Sequence, residues 1–461
     1  MSPSYAEVDT HPRLMAAEVA VACDRLRDGD DRPLTELVAT VEPQDIARAL
    51  TELETSRWLP ALARLPREEA AEIYSHLPLE LQAEALEALQ PQTAVELVSE
   101  LSYDDAAAVL NEVDDARSDA ILDALPDDDS QVLENLLAYQ EDTAGRIMTP
   151  EFVAVQKDWS VPDALDHLRA QCELAETINT VFVTTPDGVL TGWLRLKDLL
   201  LARPRQIVAD LMRSDTISVN AAEDREEAIR LITHYDLDVL PVIDDAGRIL
   251  GILTVDDMID VAQAETTEDF QRLGAVGTMT SSLRDATVGL LYRKRIGWLA
   301  ILVVVNVLSG AAIAHFEDAI ETVVALVFFI PMVVATGGNA GTQASTLVIR
   351  ALATGDIHLR DLGKLGGKEL LVATALGLSM AAAIWVSGNL LADMQVANAI
   401  AIAMAIVVIW GSLFGLALPF GLTALKIDPA VASAPLVTSV IDITGILIYF
   451  SVAVLILGIQ P

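Results

Sequence analysis

The chain has 461 residues, of which 52% are hydrophobic, and a formal net charge of −37. All but nine of its 67 acids precede Arg293, together with 22 of its 30 bases, so residues 1–292 carry nearly all of that charge. A surface of this sign repels phosphate and excludes a nucleic-acid role, while it attracts cations and repels itself.

In chain order, the first region (1–140) contains a repeat. Val41, Leu53, Leu65, Leu77, Leu89, Leu101, Val113, Leu125 and Leu137 recur every 12 residues, with Pro43, Pro66, Pro78, Pro91 and Pro126 close behind several of them. Such short units cannot bury an apolar face alone, and the spacing predicts stacked short helices, a helical solenoid. The next region alternates strand-like and helix-like stretches twice. "TVFVTTPDGVLTGWLRLKDLL" and "DVLPVIDDAGRILGILTVDDMI" share a β-run, a D-G or D-A-G turn, a second β-run and an acidic helix start. Each follows a Met-containing lead-in, "RIMTPEFVAV" or "DLMRSDTISV", so two copies of a small α/β module are expected at 141–207 and 208–265. Residues 266–292 read as a linker helix.

Beyond Arg293 five apolar stretches, near 296–314, 322–349, 370–392, 397–423 and 432–458, each approach or exceed the ~20 residues that cross a bilayer. Arg293, Lys294, Arg295, Arg350, Arg360, Lys364, Lys368 and Lys426 all fall on one side if the five alternate, and the opposite loops "HFEDAIET" and "DMQVAN" hold no Lys or Arg. The positive-inside rule then places residues 1–292 in the cytoplasm and the C-terminus outside, in a multi-pass protein expected in the plasma membrane. Cys23 and Cys172 form no disulfide framework and suggest a reducing compartment. No signal peptide is expected.

The last span contains Asp442. An ionised carboxylate at that depth costs several kcal/mol unless paired or hydrated, and no span interior holds a Lys, Arg or His. A cation, a proton, pore water or a protonated contact between helices remain open. The second span reads "FFIPMVVATGGNAGTQASTLVIR". Pro331 is expected to break its ladder, Gly337, Gly338 and Gly341 to permit close approach, and Asn339, Thr342, Gln343, Ser345 and Thr346 to supply oxygens. Small-residue helix packing is the plainer reading of those glycines. Hard oxygens without a His or Cys cluster favour Mg²⁺ or Ca²⁺ over softer metals, and Mg²⁺ would be held through its water shell.

The segments "PMVVATGGNAGTQASTLVIRALATGDI" and "DPAVASAPLVTSVIDITGILIYF", with the junction "YQEDTAGRIMTPEFVAV", resemble the MgtE family of magnesium channels and transporters. The resemblance covers nearly the whole chain. It implies a multidomain, mainly α protein: an α-solenoid and an α/β pair of CBS modules in the cytoplasm, a linker (plug) helix over 266–292 and an α-helical transmembrane domain of five spans from 293. It also implies a homodimer with the pore between subunits, Asp442 lining the ion site and Gly338, Thr342 and Thr346 near it. The family often has Asn at the position of Thr342, a polar or small residue at that of Ala434, and an acid at that of Ala108.

The resemblance further implies regulatory Mg²⁺ at Asp224, Glu226, Asp236, Asp257, Asp260, Glu265, Glu268 and Asp269, with Asp105 from the helical repeats. Without cation the acidic faces repel, and bound Mg²⁺ would compact them. Asp257 also ends "GILTVDD", a pattern with which CBS modules hold an adenosine ribose, whereas the first module has Arg195 at the hydroxyl position. His167, His234, His315 and His358 show no metal-ligand spacing, and no nucleophile–base pair suggests an enzyme. The sequence therefore points to a Mg²⁺ channel for magnesium uptake, gated by Mg²⁺ in the cytoplasm. An H⁺- or Na⁺-coupled divalent transporter and a non-transporting CBS sensor are the alternatives.

Overall fold

The structure, a computed structural model, describes residues 11–27, 32–172, 175–277, 279, 283 and 286–460. It divides into two units, Met1–Ala262 and Gln263–Pro461, and each is described on its own.

Helices α1 (His11–Arg27) and α2 (Arg32–Val38) precede the repeat. Then follow α3 (Pro43–Leu50), α4 (Thr55–Leu62), α5 (Arg67–Ser75), α6 (Leu79–Ala88), α7 (Pro91–Val98), α8 (Tyr103–Glu112), α9 (Asp115–Leu122) and α10 (Asp127–Leu137). Their first residues are spaced by 12, so the sequence period is the helix period. Proline sets the starts: it occupies the first helical position in α3 and α7 and the N-cap in α5, α6 and α10, where its missing N–H costs no helical bond. Trp58 and Tyr74 are fully buried between the repeats. The buried Gln82 donates to the carbonyls of Ser75 (3.0 Å) and Leu77 (2.8 Å), satisfying the turn between α5 and α6.

Each α/β module is a three-stranded sheet. In the first, β1 (Ala154–Gln156) runs parallel to β2 (Thr180–Thr184), which pairs antiparallel with β3 (Leu190–Arg195); α11 (Val161–Gln171) and α12 (Leu196–Leu201) flank it. The second repeats the order with β4 (Val219–Asn220), α13 (Arg225–Tyr235), β5 (Val239–Ile243), β6 (Ile249–Thr254) and α14 (Val255–Leu273). The lead-ins are exchanged. Thr149, before the first module, pairs with Ile252 of β6 (3.0 and 2.8 Å), and Arg213, before the second, pairs with Trp193 of β3 (3.0 and 2.8 Å). Gly192 and Gly251 make room for this, since a Cβ on either would meet Arg213 O at 2.5 Å or Thr149 O at 2.7 Å. Arg146 anchors the first lead-in to the repeats by donating to Leu136 O (3.2 Å) and Asn111 Oδ1 (2.7 Å).

The linker differs from expectation. Helix runs continuously from Val255 to Leu273, starting inside the second module, and residues 276, 277, 286 and 287 are not helical. Residues 278, 280–282, 284 and 285 of the expected linker helix lie outside the described residues. Gly274, and Ala275 at φ 53°, end α14.

The second unit continues with α15 (Val288–Ala314), the short α16 (Glu317–Thr322) in an expected loop, α17 (Ala325–Ala353), α18 (Leu362–Leu391), α19 (Met394–Ala424) and α20 (Ala434–Leu457). Among the described residues five helices are long and apolar enough to cross a membrane. Two of them start eight residues before the apolar window does, at Val288 and Leu362, because helix continues through the basic flanks. Pro331 does not break α17. It is the seventh residue of that helix, so it removes one ladder bond, and Tyr449 of α20 donates to the neighbouring Leu326 carbonyl (2.8 Å). α19 packs against α17, α18 and α20.

Candidate functional site

The glycines of α17 separate into two faces. Gly337 and Gly341 lie on Gly411 and Gly415 of α19: a Cβ on Gly411 would stand 2.5 Å from Gly337 O, and one on Gly415 would overlap Gly341 O. That seam is close helix packing, the plainer of the two sequence readings. Gly337 and Gly341 also touch Ile441 of α20, whereas Gly338 meets α20 alone, where its Cβ would lie 3.2 Å from Thr438 Cγ2. Thr438 is one turn before Asp442 on the same face of α20.

Asp442 is the ninth residue of α20, ~12 Å from the start of a 24-residue helix and so a third of the way along it. It is half-buried and has no hydrogen-bond or ion-pair partner among the described residues. The antiparallel register of Gly338 against Thr438 places Thr342 level with Ala434 and Thr346 level with Ala430. Thr346 is thus ~18 Å along the axis from the level of Asp442, too far for both to touch one ion. Asn339, Gln343 and Thr346 are exposed on α17 in the single chain. Thr342 has a buried hydroxyl without a partner, whereas Thr336, Thr354, Thr374, Thr438 and Thr444 all donate to the carbonyl four residues back. Ser345 turns away to donate to Ala432 O (3.2 Å) before the start of α20.

In the N-terminal unit, Asp105 and Asp257 lie within electrostatic reach of each other and of Asp260. Sequence reasoning missed the rest of this group. Asp104, whose Oδ1 is buried without a partner, acts on Asp257 and on Glu151 and Glu176 from the first module. Burial first, and then neighbouring carboxylates, hold Asp104 and Glu151 above the usual carboxylate range, Glu176 up to about 7 and Asp257 up to about 6. Three acids spread over 104–176 gave no local pattern; only their repulsion, once folded together, marks them. Asp224 caps α13 by accepting from Glu226 N (2.8 Å), and both it and Glu226 are exposed. Asp236 is exposed at a left-handed φ of 50°. No group of three or more His, Cys, Asp or Glu stands in metal-holding geometry among the described residues.

In the second unit Glu265, Glu268 and Asp269 follow one another along α14. Glu268 is already occupied: Arg272 bridges it to Asp428 in the turn before α20. Burial holds Asp269 above the usual range, with Glu268 adding to this and Arg272 and Arg350 opposing it.

A cleft of about 210 Å³ between the two modules is lined by Phe182, Trp193, Arg195, Tyr235, Asp236 and Asp238 among others. Asp257 does not line it. Its carboxylate accepts instead from the buried Thr254, so the residue the ribose pattern favoured is used internally, and Arg195, which that pattern counted against, faces the cleft.

The profile of a divalent cation transporter family, MgtE, matches residues 330–452, that of the MgtE intracellular N domain 41–142, and that of the CBS domain 144–205 and 208–264. The magnesium transporter MgtE of Thermus thermophilus is 40% identical over 452 residues, covering 96% of this chain and 99% of that one. This chain belongs to the MgtE family. The Bacillus subtilis magnesium transporter MgtE is 37% identical over 331 residues, covering 70% of this chain and 72% of that relative. The crystal structure of the cytosolic domain of the Mg²⁺ channel MgtE in complex with ATP aligns over 52% of this chain and 99% of that one, at 41% identity and a TM-score of 0.50. The soluble part of a magnesium transporter aligns over 55% of this chain at 27% identity and the same TM-score. Members of the MgtE family are transporters, and the chain is not an enzyme.

Proposed function

We propose that this MgtE protein carries Mg²⁺ across the plasma membrane along a path lined by α17 and α20, with Asp442 as the ion-facing carboxylate. The observation that carries the reading is Asp442 itself, an unpartnered acid on an apolar helix, one turn from the Gly338–Thr438 contact. An uncompensated carboxylate there costs several kcal/mol unless a cation or water answers it. Gly338 lets Thr438 of α20 pack close one turn from it, and Thr342 holds an unpartnered hydroxyl a turn further along. Mg²⁺ dehydrates reluctantly, so Asp442 would hold it through its water shell, with Asn339, Thr342 and Thr346 contacting later positions of the ion.

One carboxylate and a few hydroxyls make half a cation site, which supports a homodimer with the path between two copies. The basic residues gathered at one end of the spans support an N-terminus in the cytoplasm and a C-terminus outside. The division into 1–140, 141–207, 208–265, 266–292 and 293–461 belongs to the same reading. Mg²⁺ binding at Asp105, Asp257 and Asp260 would relieve the repulsion among these three acids, and together with Mg²⁺ at Asp224, Glu226, Asp236, Glu265, Glu268 and Asp269 it would close the path. An adenine nucleotide fits the cleft, with Phe182, Trp193 and Tyr235 for the base and Arg195 for phosphate. The ATP complex of the related cytosolic domain supports this.

The test is Mg²⁺ entry into liposomes under an imposed potential, wild type beside Asp442→Ala. Flux that needs Asp442, follows potential and shuts as Mg²⁺ rises on the N-terminal side supports the reading. Flux indifferent to Asp442 returns that carboxylate to helix contact, and flux that collapses with a proton or sodium gradient makes the protein a coupled transporter.

A further inference from the structure

Among the described residues, the helical segments α15 and α17–α20 contain a second carboxylate, Glu369. It is the eighth residue of α18, ~10 Å from that helix's start, and it belongs to no ion pair in spite of Lys368 beside it. Its Oε1 accepts from the hydroxyl of Ser412 on α19, which is 1% exposed. Nothing in the ion path uses this pair. We propose that Glu369 is a positioning residue for ion conduction: through Ser412 it fixes the rotation of α19, and so the Gly337–Gly341 seam that presents Gly338 and Thr342 to the ion. This rests on the path proposed above.

Helices α18 and α19 run antiparallel. Toward one end Gly388 lies on Ala397, where a Cβ would stand 2.9 Å away, and Trp385 Nε1 donates to Asn398 Oδ1 (2.9 Å). In the middle Gly377 lies on the Ala405 carbonyl (2.9 Å), a contact of small residues that carries no directional bond, and toward the other end Glu369 meets Ser412. That last contact is a hydrogen bond to a carboxylate, directional, and it lies at the level of the α17–α19 glycines. Ser412 is flanked by Gly411, while Gly415 lies one turn beyond Gly411; both fit against the α17 backbone. A rotation of α19 that moved Ser412 would drive those glycines off Gly337 and Gly341. The next residues along α17 from these two are Gly338 and Thr342, so the hydrogen bond sets their orientation toward α20. A simple apolar contact at Ser412 would pack as well and would leave this end of α19 held by no directional bond to α18, the Trp385–Asn398 bond lying at the other end.

The experiment uses the full chain in liposomes, with flux normalised to inserted protein. Glu369→Ala, Ser412→Ala, the double variant, Glu369→Gln and Asp442→Asn are compared for maximal Mg²⁺ flux and for the Mg²⁺/Ca²⁺ flux ratio. Each alanine variant should lose Mg²⁺ flux by about tenfold, the factor for one charge-assisted hydrogen bond, and lower the ratio. The double variant should lose no more than either single one. Glu369→Gln, whose amide oxygen still accepts from Ser412, should restore most of both readouts. Losses that multiply in the double variant, or a glutamine variant as poor as the alanine one, overturn the proposal. An unchanged ion ratio in the alanine variants overturns it too, since plain destabilisation would cut flux without changing selectivity. Asp442→Asn separates the two ideas: if it abolishes flux while Glu369 and Ser412 act independently, the path stands and the positioning role fails. If it conducts like wild type, the path fails and takes the inference with it.

Discussion

Asp257→Asn should stabilise the cation-free protein at neutral pH, although it removes an acid that the proposed Mg²⁺ site uses. Asparagine keeps the acceptor that Thr254 bonds, so the packing at the start of α14 is preserved. Burial first, then Asp104, Asp256 and Asp260 as like charges, push the Asp257 carboxyl from its ordinary 3.8 up to about 6. A group whose folded value lies above its unfolded one binds its proton more tightly when folded. Its contribution is therefore complete below 3.8 and lost as pH rises through about 6. At about 1.4 kcal/mol per decade the gap corresponds to ~3 kcal/mol, and solvent screening of a half-buried side chain reduces this to about 1–2 kcal/mol.

The assay is calorimetric unfolding of the full chain in detergent with a chelator, at pH 5 and pH 8. Because pH 5 lies inside that window, about half of the effect falls between the two pH values, and wild type should lose about 1–3 °C more than Asp257→Asn. With saturating Mg²⁺ at pH 8 the order should reverse, because the cation stabilises only the chain that still has the carboxylate. An equal loss in both proteins would refute the argument that repulsion among these acids destabilises the cation-free fold. A variant still ahead of wild type in Mg²⁺ would refute Asp257 as part of the cation site.

Gly415→Ala should destabilise the spanning bundle by about 3 kcal/mol or more in detergent unfolding, because the new Cβ overlaps backbone at Gly341 that cannot yield; Gly421→Ala, on the same helix with open space around it, should change nothing. Thr342→Val replaces an unpartnered hydroxyl with a methyl of the same shape. It should leave stability unchanged or raise it by up to about 1 kcal/mol, while Mg²⁺ flux in liposomes falls. Arg195→Gln should weaken ATP binding about tenfold in calorimetric titration and leave the melting temperature of the nucleotide-free protein in place, since the guanidinium lines the cleft and carries no internal ion pair.

The parts of this molecule that were legible in sequence are those where one local rule dominates. Proline near the start of a unit fixes a helix start, so a 12-residue spacing of Leu and Pro became a 12-residue spacing of helices. A lone acid in an apolar run announces itself, and Asp442 did. Where two distant segments decide the outcome, the same reading fails. Nothing near Gly192 says that its neighbour will be Arg213 rather than the lead-in of its own module, and the matched Gly251 signals only that something comes close. Pro331 announced its lost ladder bond but not the outcome: the helix continues through it from Ala325 to Ala353, which the residues around the proline do not reveal. Glu369 drew no reading from the sequence for a related reason. An apolar window opens at Leu370, whereas the helix opens at Leu362, and the serine that gives the carboxylate a role lies 43 residues further along the chain. The acids of the N-terminal unit repeat the pattern, since Asp104, Glu151 and Glu176 become one charge group only after the repeats, the junction and the first module have folded against one another. In a transporter these are the residues that matter most. Conduction and its control depend on charges left without a local answer, and their partners are therefore an ion, water or a helix that the neighbouring sequence does not contain.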